Sequence, residues 1–521
     1  MRIAAIDIGT NSVHMIIADA HAGPYAIVDR ERDMIKLGAG TFQAKRLSDD
    51  AITRGVQTLR RFHELIRSHG VDEVVAVATS AVREAENGRV FLEAVRAATG
   101  IVPRLISGEE EARLLDIAVR DVIDLSDRAA LTFDIGGGSV EAIVGSARGL
   151  LFARSLGLGV LRLRDQLGPA DPLPRDARRR LAQIVHEQAA ADIERCRQIG
   201  FDLTVGTSGT ILDLGLAVHR RRSKDRWLSP DGRIVALEDL RELAEQLCEM
   251  DMEERARVAG IDRRRADTIH LGAALLTELM GLAHSDELVL CDVSIREGLV
   301  LDQLARKRGP GHPPPTADIR KRSVLALAER CGELGPHGEH VATLALQIFD
   351  QTQTVHRLTA AERRILEFAA LLHDVGRHIG FERHEHHGYY LIRHGGLRGF
   401  REHEIDLIAV VARYHRKAAP KPRHPEYAAL RPRDRRIVRV LAGILRVAEG
   451  LERGRTQCVR HVRCDLSPAR LRITLHAPEG AALEAWAAER KSELLAAALD
   501  RRIELTVEPG PAAVPAPAGG P

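Results

Sequence analysis

The chain has 521 residues, roughly three or four domains at about 150 residues each, which excludes a single small binding module. Hydrophobic residues make up 45% and charged residues 29%, a globular balance with material for several cores. The 76 basic and 73 acidic side chains cancel to +3 and aromatics reach only 3%, which argues against a surface built to coat nucleic acid. No apolar run approaches a membrane span, and Met1 leads into a strand-like segment rather than a signal peptide, so a cytoplasmic protein without a membrane partner is expected. The six cysteines form no CxxC, which disfavours a disulfide framework or a cysteine-rich zinc site.

In chain order, residues 6–18 (IDIGTNSVHMIIA) read as a tight β-hairpin, an apolar run ending in Asp, a Gly-containing turn and a second apolar run. Residues 74–79 (VVAVAT) read as a buried strand, followed by a helix from Ser80. Residues 133–145 (FDIGGGSVEAIVG) then repeat the first hairpin without gaps, 127 residues later. Two such hairpins among alternating helices and strands predict duplicated α/β half-domains, at residues 1–125 and 126–304. The second continues through strands at 203–206 (LTVG) and 288–291 (LVLC). A basic Pro/Gly-rich break at 305–317 predicts a linker. Residues 318–455 read as helical, 456–508 as a small α+β unit and 509–521 as a disordered tail. Fifteen of the 23 histidines lie after residue 310, so the second part of the chain differs in character from the first.

The repeated turns are candidate phosphate loops. In Gly9, Thr10, Asn11 and Ser12, glycine admits close backbone approach while amides and hydroxyls can donate to phosphate oxygens. Gly136, Gly137, Gly138 and Ser139 form the more open counterpart, and two related loops would clamp one phosphate chain from both sides. Alone, either is a Gly-rich turn; the pair in register, with Asp kept in both, carries the signal. Gly206, Thr207, Ser208, Gly209 and Thr210 follow a strand and open a helix, which suits an anion at a helix N-terminus or an ordinary capped turn. Position 14 is His where its counterpart, position 141, is Glu, and Glu141 with Asp134 could hold Mg²⁺ against phosphates. In residues 107–114 (SGEEEARL), Ser107 and Glu110 make a capping box that leaves Glu111 unexplained, one step deeper in the helix and available as a general base.

Together these residues resemble the exopolyphosphatase and guanosine pentaphosphate phosphatase family, within the larger group of actin-like phosphotransferases. DIGTNS, TSAVREA, SGEEEARL, FDIGGGSVE, GTSGT and REGLV stand in the family's order. The resemblance implies a duplicated actin-like (ribonuclease H-like) fold, Glu111 as catalytic base, Asp134 and Glu141 as metal-associated carboxylates, and phosphate binding by the three loops. Arg83, in TSAVREA, matches an arginine facing the phosphates, where a guanidinium would neutralise a terminal phosphoryl by bidentate contact.

The histidine-rich region resembles the HD superfamily of metal-dependent phosphohydrolases, through His340 in GEHVA and His373–Asp374 in HDVG, a set suited to a divalent metal. The final acidic ligand departs from the pattern, Glu449 standing where Asp is expected. Other histidines in reach are His378, His386, His387, His394, His403 and His415. The family likeness implies that this domain serves substrate binding and dimer contacts, so a homodimer is expected. Residues 413–455 carry 13 Lys/Arg against 4 Asp/Glu, a basic segment that could guide a polyanion.

The expected activity is removal of terminal orthophosphate from linear polyphosphate with Mg²⁺ as cofactor. Guanosine pentaphosphate is the close alternative substrate. An actin-like kinase or ATPase, and a non-catalytic polyphosphate or alarmone sensor, are the alternatives from other classes.

Overall fold

Strand β1 (Arg2–Ile8) is apolar on both sides because it separates two cores: Ala4, Ile6 and Ile8 face one, and Ile3 and Ala5 face the other. The computed structural model describes residues 1–20, 25–223, 230–308, 318–478 and 480–508. Strand β1 pairs antiparallel with β2 (Val13–Asp19), which pairs with β3 (Ala26–Asp33), and parallel with β4 (Glu73–Ala78), which pairs with β5 (Arg104–Leu105). The order is β3-β2-β1-β4-β5.

The second sheet repeats this plan with β6 (Ala129–Ile135), β7 (Val140–Ser146), β8 (Gly149–Leu156), β9 (Leu203–Thr207), β10 (Ile234–Ala236) and β11 (Glu287–Leu290). Its order is β10-β11-β9-β6-β7-β8, so β8-β7-β6-β9-β11 reproduces the first sheet and β10 adds an antiparallel edge. The sequence repeat therefore marks a structural duplication with actin-like topology.

The halves interlock through their last helices. Leu299 and Val300 of the helix Ile295–Arg308 share a core with Ile3 and Ala5, while Ala112 and Leu115 of the helix Gly108–Val122 share one with Ala130 and Ile143. The two helices cross at Gly298, where a Cβ would collide with the Leu114 carbonyl. Gly298→Ala is expected to destabilise by about 1–3 kcal/mol, since backbone must move to admit the methyl. Denaturant unfolding measures this, and an unchanged midpoint would show that the crossing tolerates a side chain.

The helix Ile295–Arg308 overruns the expected linker start at residue 305; residues 309–317 lie outside the described residues, as does the tail 509–521. Met1–Ile319 and Arg320–Pro521 form two compact units. In the second, the expected α+β elements are present: β12 (His461–Leu466), β13 (Arg470–His476) and β14 (Arg502–Val507), with helices Ala482–Glu489 and Glu493–Leu499. They are not a separate body, because Ile473, Leu475 and Leu495 share one core with Phe349, Phe368 and Leu441 of the helices. The edge strand β12 is capped by side chains of the helix Pro336–His356: Gln347 Oε1 accepts from Val462 N, Gln351 Oε1 accepts from Cys464 N, and Gln351 Nε2 donates to the Val462 carbonyl, each at 2.9 Å. Among the described residues, no helix is long and apolar enough to cross a membrane.

Candidate active site and a second histidine cluster

The two hairpin turns are built alike. Gly9 N–H donates to the Ser12 carbonyl and Gly136 N–H to the Ser139 carbonyl, both at 3.0 Å. They also touch each other, since a Cβ on Gly137 would lie 3.2 Å from Thr10 Cβ, and one on Gly138 would reach Thr10 Oγ1 at 2.8 Å and Phe42 at 2.6 Å. Gly137 and Gly138 are therefore required by an opposing wall. Gly159 presses on the same loop from behind, where a Cβ would strike the backbone of Gly137 and Gly138.

Along the ladders, Asp7 faces His14 and Asp134 faces Glu141. Glu111 is 3% exposed and pairs with Arg83, whose Nη1 lies 2.5 Å from Glu111 Oε1 and donates to the Ile106 carbonyl at 2.7 Å. Burial pushes the Glu111 carboxyl well above its ordinary value, and the Glu141 charge adds to the rise. Glu141, buried likewise, accepts from Ser155 Oγ at 2.8 Å. Arg83, Ser139, Ser155, Arg154 and Arg162 line a cleft of about 340 Å³ beside this pair. Arg162 Nε donates to the Gly138 carbonyl at 3.0 Å, tying the glycine loop to the helix Val160–Leu167.

Sequence reasoning passed over Asp7 as a site residue, although the repeat displayed it. Burial raises its pKa to about 6, and burial, with Glu141 and Asp7 adding, raises that of Asp134 to about 8. Asp7 Oδ1 is buried with no hydrogen-bond partner among the described residues. Three crowded carboxylates with an orphaned oxygen fit a divalent cation. Among the described residues they do not form a tight ligand set of the kind the histidine clusters do. A carboxyl with a raised folded pKa holds more protons folded than unfolded, so stability is lost as pH rises through that pKa. Asp7 and Asp134 therefore contribute stability that is lost as pH climbs from an ordinary carboxylate value of about 4 through about 6 and about 8, a loss that Mg²⁺ is expected to offset. Buried histidines with lowered pKa act in the opposite sense, so the measurement is the Tm of metal-free wild type minus that of Asp134→Asn, which is expected to fall over this window; a difference that does not change with pH would contradict it.

The third loop needs correction. Gly206 and Thr207 are strand residues of β9, paired with Phe133 and Asp134 of β6, and a Cβ on Gly206 would strike Ile211. The strand passes directly into the helix Ser208–Arg222, so only Ser208, Gly209 and Thr210 lie at a helix start. Ser208 sits at φ 77, a strained backbone for a side-chain-bearing residue. A Cβ on Gly209 would overlap the Arg265 guanidinium, which leans across the helix start and pairs with Asp213 at 2.8 Å. Arg265 belongs to a group that sequence reasoning missed. Arg296, Arg32, Arg265 and Arg264 all act on buried His14, which accompanies burial in lowering its pKa, so the counterpart of acidic Glu141 lies in a cationic environment.

Residues 16–307 match the model of the Ppx/GppA phosphatase family, and residues 319–501 match that family's domain III. The chain belongs to the Ppx/GppA phosphatase family. A crystal structure of the Aquifex aeolicus Ppx/GppA family member is 27% identical, covering 60% of this chain and 99% of its own, with a TM-score of 0.52. An exopolyphosphatase from Cytophaga hutchinsonii is 28% identical, covering 59% and 98%, with a TM-score of 0.56. Like other Ppx/GppA phosphatases, the chain is thus a phosphatase by family, with the cleft of the duplicated fold as its candidate active site.

The segment matching Ppx/GppA domain III carries a second cluster. His373 caps the helix Ala360–Leu372, His384 opens the helix His384–His394, and His415 follows the helix Glu402–Arg413. Each Nδ1 lies near the carbonyl three residues back: Ala370 at 2.6 Å, Phe381 at 2.9 Å and Ala412 at 2.7 Å. A nitrogen facing a carbonyl must carry the proton, so each Nε2 presents a lone pair. Burial lowers the pKa of His373 and, further, of His415, which keeps them neutral. His384 Nε2 and His415 Nε2 stand 3.3 Å apart, His384 Nε2 lies 3.3 Å from Asp374 Oδ1, and His373 Nε2 is buried with no hydrogen-bond partner among the described residues. Lone pairs converging on a carboxylate repel unless a cation lies between them.

The ligand set differs from the expected one. His340 is turned to the Val459 carbonyl at 2.9 Å, and His337, one helical turn earlier, joins His373 and Asp374 instead. Asp374, His384 and His415 form a second triad, each triad having its ligand atoms within 4.8 Å. Glu449 pairs with Lys491, away from the cluster, while Glu452 lies 3.9 Å from His337. Of the other candidates, His378, His394 and His403 are exposed, His386 pairs with Arg413 and His387 is half-buried outside both triads, so among the described residues His415 is the member of that set that joins the cluster. His337 carried no distinguishing sequence signal. His384 did: Gly388, four residues on, and Gly376 meet closely, pressing the helix start against residues 373–376.

Proposed function

We propose that the chain is an exopolyphosphatase, hydrolysing the terminal phosphoanhydride of linear polyphosphate to orthophosphate. The observation that carries this reading is the pairing of Arg83 with buried Glu111 beside a cleft lined by Arg83, Ser139, Arg154, Ser155 and Arg162. Phosphoryl transfer asks a protein chiefly for positioning and charge neutralisation. Ser139, at the end of the second glycine loop, lines the cleft, and Arg83, anchored at Nη1, offers the rest of its planar fork to a terminal phosphoryl. As phosphate draws the guanidinium, Glu111 is released to accept a proton from the attacking water, and its raised pKa makes it a stronger base than an ordinary glutamate. Asp134 and Glu141, with Asp7 beside them, would hold a Mg²⁺, which would supply charge neutralisation to the phosphate oxygens.

Two features favour a polyanion with several phosphates. The cleft continues to Arg154 and Arg162, and arginines surround His14 at the matching position of the other hairpin. The likeness to the Cytophaga hutchinsonii exopolyphosphatase points the same way. The test is orthophosphate release from long-chain polyphosphate, guanosine pentaphosphate and ATP under one set of conditions. Polyphosphate is expected to have the highest kcat/KM by about tenfold or more, a difference of ~1.4 kcal/mol in transition-state stabilisation. Faster release from guanosine pentaphosphate moves the assignment to that substrate. Preference for ATP supports the kinase or ATPase reading, and binding without turnover supports a sensor.

A further inference from the structure

Asp374 is the carboxylate shared by both ligand triads of the second cluster, yet one of its oxygens is already engaged by arginine. Its Oδ1 faces His384, His373 and His415 at 3.3, 3.7 and 3.9 Å. Its Oδ2 accepts from Arg455 Nη2 at 2.5 Å and from Arg377 Nη1 at 3.2 Å. These two cations are not equivalent. Arg377 lies in the 3₁₀ turn Val375–His378, next to Asp374 in sequence, and has a second acid, Glu333, at 3.6 Å. Arg455 reaches in from 81 residues away, on the turn that follows the helix Pro432–Gly450.

That turn is under local strain. Arg455 sits at φ 57 and Gln457 at φ 56, both in the left-handed region that side chains with a Cβ disfavour. Buried Glu452 holds one side of it, accepting from Gln457 N at 3.1 Å and from Arg455 N through its carbonyl at 3.1 Å. The Arg455–Asp374 pair holds the other. The Arg455 side chain is 43% exposed, so a path to solvent is open to it.

We propose that Arg455 is a guanidinium latch on a transition-metal site formed by His337, His373, Asp374, His384 and His415, and that metal binding and the latch exclude one another. The proposal rests on reading that cluster as a metal site. Imidazole donors with a single carboxylate select ions of the zinc, iron, cobalt and manganese type over magnesium, so this site and the all-carboxylate cleft differ in metal class. A divalent ion within bonding reach of Asp374 places two positive charges beside a guanidinium already on the same carboxylate. The arginine with the weaker alternative anchoring leaves, and the strained turn from Glu452 to Gln457 relaxes with it. Without metal, Arg455 and Arg377 supply positive charge to the carboxylate, while Arg416 Nη1, 3.2 Å from His384 Nδ1 and 3.4 Å from its Nε2, supplies it at the imidazoles. The turn after the helix Pro432–Gly450 thereby reports whether the cluster is loaded.

The test uses the full-length chain and Co²⁺, whose visible absorption reports histidine ligation. His373→Ala serves as the blank that subtracts any ion bound elsewhere. At the His373-dependent site, Arg455→Gln is expected to bind Co²⁺ about tenfold more tightly than the unaltered chain, a gain of ~1.4 kcal/mol, with Arg455→Lys between them. Trypsin adds an independent readout: cleavage after Arg455 should accelerate when Co²⁺ is added to the unaltered chain, and not in His373→Ala. If Co²⁺ binds at the His373-dependent site with the same or lower affinity in Arg455→Gln, the latch is overturned while the metal site stands. If no His373-dependent uptake occurs in either protein, the metal site is wrong and the latch falls with it. Neither result bears on Glu111.

Discussion

Glu111→Gln is expected to lower orthophosphate release from long-chain polyphosphate by about two to four orders of magnitude, the range that removal of a general base produces. Glutamine preserves the volume and one hydrogen-bonding oxygen toward Arg83, so the cleft keeps its shape while the proton acceptor is lost. The deficit belongs in kcat, because Arg83 and the loops remain to bind substrate. The unaltered enzyme carries a companion signature. Its base must be ionised, so kcat/KM falls as pH drops through the raised Glu111 pKa, well above the range of an ordinary glutamate. That acid limb should be missing from the residual activity of Glu111→Gln. Steady-state rates from pH 5 to 9 for both proteins decide the matter. A variant retaining more than a third of wild-type kcat removes Glu111 from the chemistry, whatever the fate of Arg83.

Gly159→Ala is expected to cost both stability and activity, and the two losses need not match. Its backbone is extended, with φ −64, so alanine meets no torsional objection there. The obstacle is steric: the added methyl would occupy the space of the Gly137–Gly138 backbone, which has no rotamer by which to yield. Overpacking of this kind costs about 1–3 kcal/mol of global stability. The loop that must move is one of the two that would grip phosphate, and displacement of a reacting group by about 1 Å can cost 10²-fold in rate. We therefore expect unfolding to shift modestly while kcat/KM for polyphosphate falls about 100-fold. Chemical denaturation and steady-state kinetics on one preparation separate these effects. Activity that falls only in proportion to the folded fraction would show that the loop position is not catalytic.

Much of the fold was legible because the duplication was written in residues that both copies need. Asp7 and Asp134 end matching central strands, and Gly9 and Gly136 close matching turns, so an ungapped alignment of 13 residues implied two sheets of like topology. Glu111 could be singled out because an expected capping box accounted for its neighbours; the structure forms only half of that box, Ser107 Oγ accepting from Glu110 N while the Glu110 carboxylate takes Arg113, and it buries Glu111 against Arg83. Gly206 was given to both the strand 203–206 and the loop that follows, and the structure settles it as strand. Its missing side chain makes room for Ile211 from the next helix, a contact between elements that local pattern does not display. The arginines around His14 were invisible because they come from β3, the 3₁₀ turn Arg263–Arg265 and the helix Ile295–Arg308, far apart in sequence. In the second unit, His337 and His340 stand one turn apart on one helix, and only the position of Asp374 distinguishes ligand from neighbour.

The exchange of Glu141 for His14 at equivalent ladder positions also bears on direction. Duplication by itself makes a cleft that reads the same from either end, and a polymer lying in such a cleft could face either way. Here one repeat kept a carboxylate beside Arg83 and Glu111, while the other gathered four arginines around an imidazole held neutral by burial. On the proposed polyphosphate reading, this broken symmetry would let a linear polyanion tell the two hairpins apart, its terminal phosphoryl favoured at the Arg83–Glu111 pair and its body on the arginine-rich side. A preference for chain termini would then follow from the inequality of two copies of one hairpin.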